Sequence, residues 1–286
     1  MVGDVSALTV RLNARKNVIT FTSGLAPTCL QANLICLPSK YAQDFRLLCQ
    51  RNPVPCPLLA ESKSVGKYSD LKSWMPNIQD SAVAAEIDLR TDIPRYMVYR
   101  DGKLVKFQCQ NIVDDWTEDH VGFLVGCSFS FESALTAAGL SPRHTVMQRN
   151  CPMYRTNIPL CPAGVFTHGT FVVSMRPYAL DQIDDVRLIT RPYVGTHGEP
   201  IAWGWDAVRD LGIENIDCPE WGDAPLAIDG NPFGSTTERN VVPVFWGCGV
   251  TPQEAIIRAN LQGVVMAHAP GHMLVLDVKD GEVLDR

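Results

Sequence analysis

The spacing of apolar positions changes period along the chain, and each change marks a predicted element. Val5, Leu8 and Leu12 fall on one helical face. Residues 31–37, QANLICL, form an apolar run of the length of a buried strand. Ser39 follows at an N-cap position, Tyr41, Phe45 and Leu48 share a helix face, and Asn52-Pro53 stops that helix. The extended run VPCPLLAE comes next, so this part reads as a βαβ unit, which favours α/β architecture. Residues 62–82, rich in Ser, Lys and Pro, read as an exposed loop.

RYMVYRDGKLVKFQ, residues 95–108, alternates about Asp101-Gly102 and predicts a hairpin. VGFLVGC is a buried strand, and SFESALTAAGL a helix closed by Gly139. Residues 141–169, rich in Pro, Cys, Arg and Asn, read as irregular. TFVVSMRPY predicts a strand ending at Arg176-Pro177, followed by a helix over 179–190. PIAWG is a further strand, with a helix from Asp206 to Gly212 and a loop over 215–240. The chain closes with strand VPVFWG, a helix from Thr251 and strand HMLVLDV, and shows no repeat of solenoid period.

Two stretches share one plan. FLVGCSFSFESAL and FWGCGVTPQEA each pass from an apolar run through Gly-Cys into a helix. Thr251-Pro252-Gln253-Glu254 has the form of a capping box, and Ser128 or Ser130 can cap the other helix. Gly247 and Gly249 would allow positive φ and close backbone approach. Each helix start offers unpaired N–H groups, so each is a candidate cradle for a carboxylate or phosphate. The plainer reading is a pair of tight strand-to-helix turns, with Cys127 and Cys248 as small buried residues. On the first reading, both turns lie at the ends of neighbouring strands of one sheet, where open α/β sheets bind ligands.

Composition narrows the function class. The 286 residues carry a net charge of −6, and no basic run exceeds Arg15-Lys16, which argues against nucleic acid. No apolar segment approaches the length of a membrane span. The ten cysteines form no CxxC pair and no zinc-finger spacing, so they read as reduced thiols of a cytosolic or mitochondrial-matrix protein. His268 and His272 in HAPGH stand four apart, but Pro270-Gly271 opposes the helix that metal binding would need, so no metal is expected. No Walker loop, dinucleotide fingerprint or nucleophile elbow is present, and no cofactor is expected.

GLAPTCLQANL, CQRNPVPCPLL, DLRTDIPRY, GCSFSFESAL, PMYRTNIP, VVSMRP, FWGCGVTPQ and HAPGHM occur in this order. Together they resemble the D-glutamate cyclase family, also labelled hydro-lyases, over residues 20–278. The resemblance implies an α/β fold, a three-layer αβα sandwich with a smaller two-layer α+β domain. Residues 1–140 with 241–286 would form the main unit and 141–240 the smaller one. It implies a lyase that dehydrates D-glutamate to 5-oxo-D-proline. GLAPT stands where GLAPG is usual in the family, so that turn is expected to differ locally.

Ring closure of glutamate needs a base for the ammonium proton, an acid for the leaving oxygen, oxyanion donors and a carboxylate anchor. His268 or His272 with Asp92 or Glu132 are the candidate acid–base pair. Asp92, between Arg90 and Arg95, can equally be a structural ion pair, and Glu132 can simply favour its helix dipole. Arg155 or Arg176 suits the carboxylate, or else holds loops together. The turn groups at Cys127, Ser128, Gly247, Cys248, Gly249 and Thr251 are the candidate cradle. The expected partner is a small carboxylate or amino acid, with a homo-oligomer open. Another lyase, an amide-forming or hydrolysing enzyme, or a carboxylate-binding protein would use the same groups.

Overall fold

The computed structural model describes residues 5–238 and 240–284. Its larger sheet starts with β1 (Cys29–Pro38), β2 (Leu58–Ser62), β3 (Leu71–Ser73), β4 (Tyr96–Arg100), β5 (Lys103–Cys109) and β6 (His120–Gly126). The chain then builds a smaller sheet from β7 (Met153–Pro159), β8 (Thr170–Ala179), β9 (Ala202–Trp203) and β10 (Val241–Gly247). It returns to the larger sheet with β11 (Val264–His268) and β12 (Leu274–Lys279). The strand orders are β3-β2-β6-β1-β11-β4-β5, with β12 also on β1, and β7-β8-β10-β9.

The fold is α/β, and its strand pairs are antiparallel. The expected βαβ unit exists in split form. β1 and β2 both run antiparallel to β6, which sits between them, so they point the same way. Helix α1 (Ala7–Arg15) precedes the sheet, and α2 (Ala42–Arg51) links β1 to β2. Entry to α2 is a 3₁₀ turn over Ser39–Tyr41, and Ser39 bonds the Asp119 carboxylate instead of capping.

Alternation along β1 sorts the core. Leu30, Ala32, Leu34 and Cys36 face one cluster, while Ile35 and Leu37 face another. The second face is covered by α2, through Phe45 and Leu48, and by α7 (Thr251–Ala259), through Ala255 and Ile256. The first face is covered by the connection from Met75 to Ile93 and by Ile112, where the sandwich expectation would place helices. In the smaller sheet, Val242, Val244 and Trp246 pack under α3 (Glu132–Ala137) and α5 (Ile183–Thr190), and Phe245 packs on the opposite side. Residues 241–247 therefore pair within the smaller sheet.

Several elements differ from the sequence reading because their partners are remote. β3 lies in the expected 62–82 loop and β7 in the expected irregular segment 141–169. β8 runs on through Arg176-Pro177 to Ala179 because Pro177 sits opposite Pro243, where neither strand needs to donate an N–H. In α1 the buried positions are Ala7, Val10, Arg11 and Ala14, not Val5, Leu8 and Leu12. Arg11 turns the helix inward by reaching Asp277 and the carbonyls of Val275 and Ala85.

Thr28 closes the GLAPT turn, which was expected to differ locally. It has φ +70°, the left-handed region that a β-branched side chain disfavours. Its carbonyl receives the Asp280 N–H at 2.8 Å, so the strained turn anchors the chain after β12. Thr28→Gly is expected to raise stability by about 1 kcal/mol, seen as a higher urea midpoint with an unchanged slope. An unchanged or lower midpoint would show that the threonine carries no strain.

Candidate functional site

The two Gly-Cys turns meet, but they end strands of different sheets, β6 in the larger and β10 in the smaller. Their glycines serve internal packing. A Cβ on Gly126 would stand 1.9 Å from the Gly195 carbonyl, and one on Gly249 only 1.8 Å from the Asn33 amide. Gly247 passes within 3.2 Å of the Val54 carbonyl by the same measure. Neither Gly247 nor Gly249 adopts positive φ, so close approach alone accounts for them.

The cysteine amides of both turns are already bonded, Cys127 N–H to the Gln31 carbonyl and Cys248 N–H to that of Val172, each at 3.0 Å. Those two amides are thus spent within the fold and are not presented as oxyanion donors. Each thiol accepts the amide two residues on, from Phe129 and Val250. Burial pushes the Cys127 thiol up to about 12 and raises that of Cys248, so both are neutral. Thr251 begins α7 rather than capping it. Its hydroxyl accepts the Val172 N–H at 3.0 Å and contacts the Val172 carbonyl at 3.2 Å, clamping α7 to β8.

Arg176 and Glu132 meet directly. The arginine is fully buried between the rings of Phe131 and Trp246, at 5.1 and 5.3 Å. Its Nε and Nη2 donate to Glu132 Oε1 at 2.9 and 2.5 Å. Nη1 and Nη2 also donate to the hydroxyls of Ser174 and Ser128. Burial raises the Glu132 carboxyl, but His144 and Arg176 outweigh it and hold the group down at about 2. His144 Nε2 lies 3.2 Å from Glu132 Oε1. All of this is sealed inside, so the pair joins the end of β6 to β8 and turns no free donor outward.

Arg155 is occupied as well. Its guanidinium forks onto Glu254 at 2.8 and 3.1 Å, reaches Glu220 at 3.3 Å and stacks 5.3 Å from the Trp221 ring centre. Asp92 lies elsewhere, buried beneath α1, where it binds Arg15, accepts the Asp88 N–H and stands 3.8 Å from Arg11. Of its two sequence readings, the structural ion pair is the one that the geometry matches.

HAPGH occupies a gap in the edge of β1. β11 leaves that edge at Ala267, opposite Ile35, and β12 rejoins it at Leu274, opposite Ala32. Pro270 cannot donate to the ladder, and Gly271 takes φ +82°, where an added Cβ would stand 3.0 Å from Asn150 Oδ1. The loop thereby forms one wall of a cleft of about 460 Å³ between β4 and β5, α7 and the approach to β7. Tyr99, Phe107, Phe129 and Trp221 give it aromatic walls; Gln108, Asn150, Cys151 and Gln253 are polar points on them. No described residue lining it is charged. Burial pushes the Cys151 thiol up to about 11, so it too is neutral.

Neither histidine of HAPGH lines this cleft; each stands behind a residue that does. His268 is buried behind Gln253, with Nδ1 2.9 Å from the Gln253 amide nitrogen. Burial lowers it to about 4, leaving a neutral imidazole at pH 7. His272 is half-buried beside the lining residue Gly271, and its Nδ1 lies 2.7 Å from the Pro270 carbonyl. Its pKa is lowered by burial.

Comparison with known proteins identifies the family. The family model described as D-glutamate cyclase matches residues 121–277, from β6 through both Gly-Cys turns to β12. A Schizosaccharomyces pombe protein named “Putative hydro-lyase” is 44% identical over 95% of this chain and 85% of its own length. One of the same name from Staphylococcus haemolyticus is 44% identical over 94% and 93%. The chain belongs to the D-glutamate cyclase family. Among solved structures, a nitrogen repressor-like protein of Methanococcus jannaschii aligns over 93% of both chains at 10% identity and a TM-score of 0.37, too distant to bear on fold or function.

In this D-glutamate cyclase family member, the cleft residues Asn150, Cys151, Trp221 and Gln253 escaped the sequence reading. Gln253 stood inside the supposed capping box, between Thr251 and Glu254, which are buried as well, so nothing local set it apart. Asn150-Cys151 stood in the segment read as irregular, with no periodicity to mark them. His144 was missed for the same reason.

Proposed function

We propose that this protein is a lyase of the hydro-lyase kind that closes D-glutamate to 5-oxo-D-proline with loss of water. The observation that carries the reading is the uncharged cleft in a chain of the D-glutamate cyclase family. Ring closure converts an ammonium and a carboxylate into a neutral amide and a water molecule. Surroundings without charged partners penalise the separated ammonium and γ-carboxylate and favour the neutral amide that replaces them, the α-carboxylate being carried through unchanged. Aromatic walls exclude water and hold the short chain folded, which supplies rate through orientation. Asn150 and Gln253 offer neutral amides to a ligand's polar atoms. His272 is assigned the two protons that the ammonium loses on becoming an amide N–H, which it passes in turn to the leaving oxygen, so that this oxygen departs as water and the proton balance closes within the substrate.

The test is direct. Purified protein incubated with D-glutamate should give 5-oxoproline by NMR, faster than L-glutamate does. Absence of ring closure with both enantiomers would overturn the reading. Asp92→Asn separates the alternatives for that residue. It should lower stability by about 2–3 kcal/mol through the Arg15 and Arg11 contacts, yet leave kcat of the folded fraction unchanged. A selective loss of kcat at full stability would return Asp92 to the chemistry.

A further inference from the structure

Gln253 is held at two points. Its Nε2 donates to the His268 carbonyl at 3.2 Å and lies 2.9 Å from His268 Nδ1. Turning the amide over would set Oε1 against that carbonyl oxygen, two acceptors face to face, so the carbonyl fixes the orientation. The Leu34 carbonyl also lies 3.3 Å from Nδ1, but the Gln253 contact is the shorter, so the second Nε2 hydrogen is assigned to Nδ1 and the imidazole proton to the other ring nitrogen. Oε1 is left with no protein partner among the described residues, on a side chain that lines the cleft. Asparagine and glutamine carry both donor and acceptor. Here the donor end is consumed inside, and only the acceptor end is offered.

An acceptor in an uncharged aromatic cleft selects an N–H donor. We propose that Gln253 Oε1 binds the reacting nitrogen of the ligand, the amine before closure and the lactam N–H after it. His268 is the positioning residue that keeps this acceptor turned outward. The assignment rests on the cyclisation reading for the ligand, whereas the orientation of Gln253 rests on the fold alone. It also gives His268 a use that does not require it to titrate.

Two measurements test it. In protein labelled with 15N-glutamine, both Gln253 side-chain protons should exchange with solvent at least about tenfold more slowly than those of an exposed glutamine. Exchange as fast as that of an exposed glutamine in unmutated protein would overturn the held orientation. The second measurement compares 5-oxo-D-proline with its lactone isostere, in which the ring N–H is replaced by oxygen. Unmutated protein should prefer the lactam by about tenfold, because the lactone sets an oxygen against Oε1. Gln253→Met, close in length, should abolish that preference. Equal binding of the two rings, or a preference surviving in Gln253→Met, would overturn the assignment. Binding of neither ring, with slow exchange intact, would sink the cyclisation reading and the ligand assigned to Gln253, while sustaining its acceptor-outward orientation.

Discussion

Arg176→Met is expected to lose roughly 3–5 kcal/mol of stability, the largest effect of any single change considered in this protein. The substitution preserves much of the side-chain volume between Phe131 and Trp246, so a cavity is not the cause. The cost arises because Glu132, 7% exposed, keeps a charge that has lost its guanidinium and retains only Thr145 and His144 beside it. Ser128 and Ser174 lose a partner too. Adding Glu132→Gln should recover a large part of the loss, since a neutral amide no longer demands the guanidinium. If the double variant is as unstable as Arg176→Met alone, packing and not the pair explains the effect. Acid gives an independent check. The Glu132 carboxyl sits at about 2, below an ordinary 4.5, so its contribution is complete above pH 4.5 and is lost as pH falls towards 2. Unmutated protein should show that acid-labile component in urea titrations, and the double variant should lack it.

What the sequence revealed, and what it hid, follows from how local each cause is. The hairpin at Asp101-Gly102 was legible because its turn chemistry is local: both residues adopt positive φ, at 49° and 75°. The helix after Thr251 was legible, but its start was not, because the Thr251 hydroxyl is diverted to Val172 on β8. β7 and β11 were missed because ladders with β8, β1 and β4 define them more than their own periodicity does. The same limit applies to the site. Glu132 and Arg176 were both singled out, one as an acid and one as an anchor, yet nothing in a linear chain shows that they neutralise each other. Gly-Cys was a sound signal of close approach, but the approaching groups were Gly195, Asn33 and Val54 of the same chain. Neutral amides such as Asn150 and Gln253 carry no spacing signature at all. Only the fold brings them to one cleft, walled by the HAPGH loop in the gap of β1's edge.

His272→Asn should lower kcat by about 10²–10⁴-fold on the true substrate while leaving stability within about 0.5 kcal/mol. The reason lies in which atom the substitution keeps. Nδ1 is 2.7 Å from the Pro270 carbonyl, an acceptor, so in the neutral ring Nδ1 carries the proton and the other nitrogen the lone pair, with the backbone of Ala269 and Thr20 also against the ring. The side-chain nitrogen of Asn superimposes on Nδ1, so the loop keeps its hydrogen bond and Gly271 keeps its place against Asn150. What disappears is the basic nitrogen. His272→Gln does the reverse: it reaches towards the position of the lost nitrogen but drops the bond to Pro270, so both turnover and loop order should fall. The pH profile adds a sign. Burial lowers the His272 pKa below the ordinary 6.5, so the neutral, proton-accepting form persists under mildly acid conditions. kcat/KM should therefore hold steady from neutral pH to below 6.5, falling only at lower pH, and His272→Asn should remove that acid limb. Full turnover in His272→Asn, or an acid limb that survives it, would move proton transfer away from this imidazole.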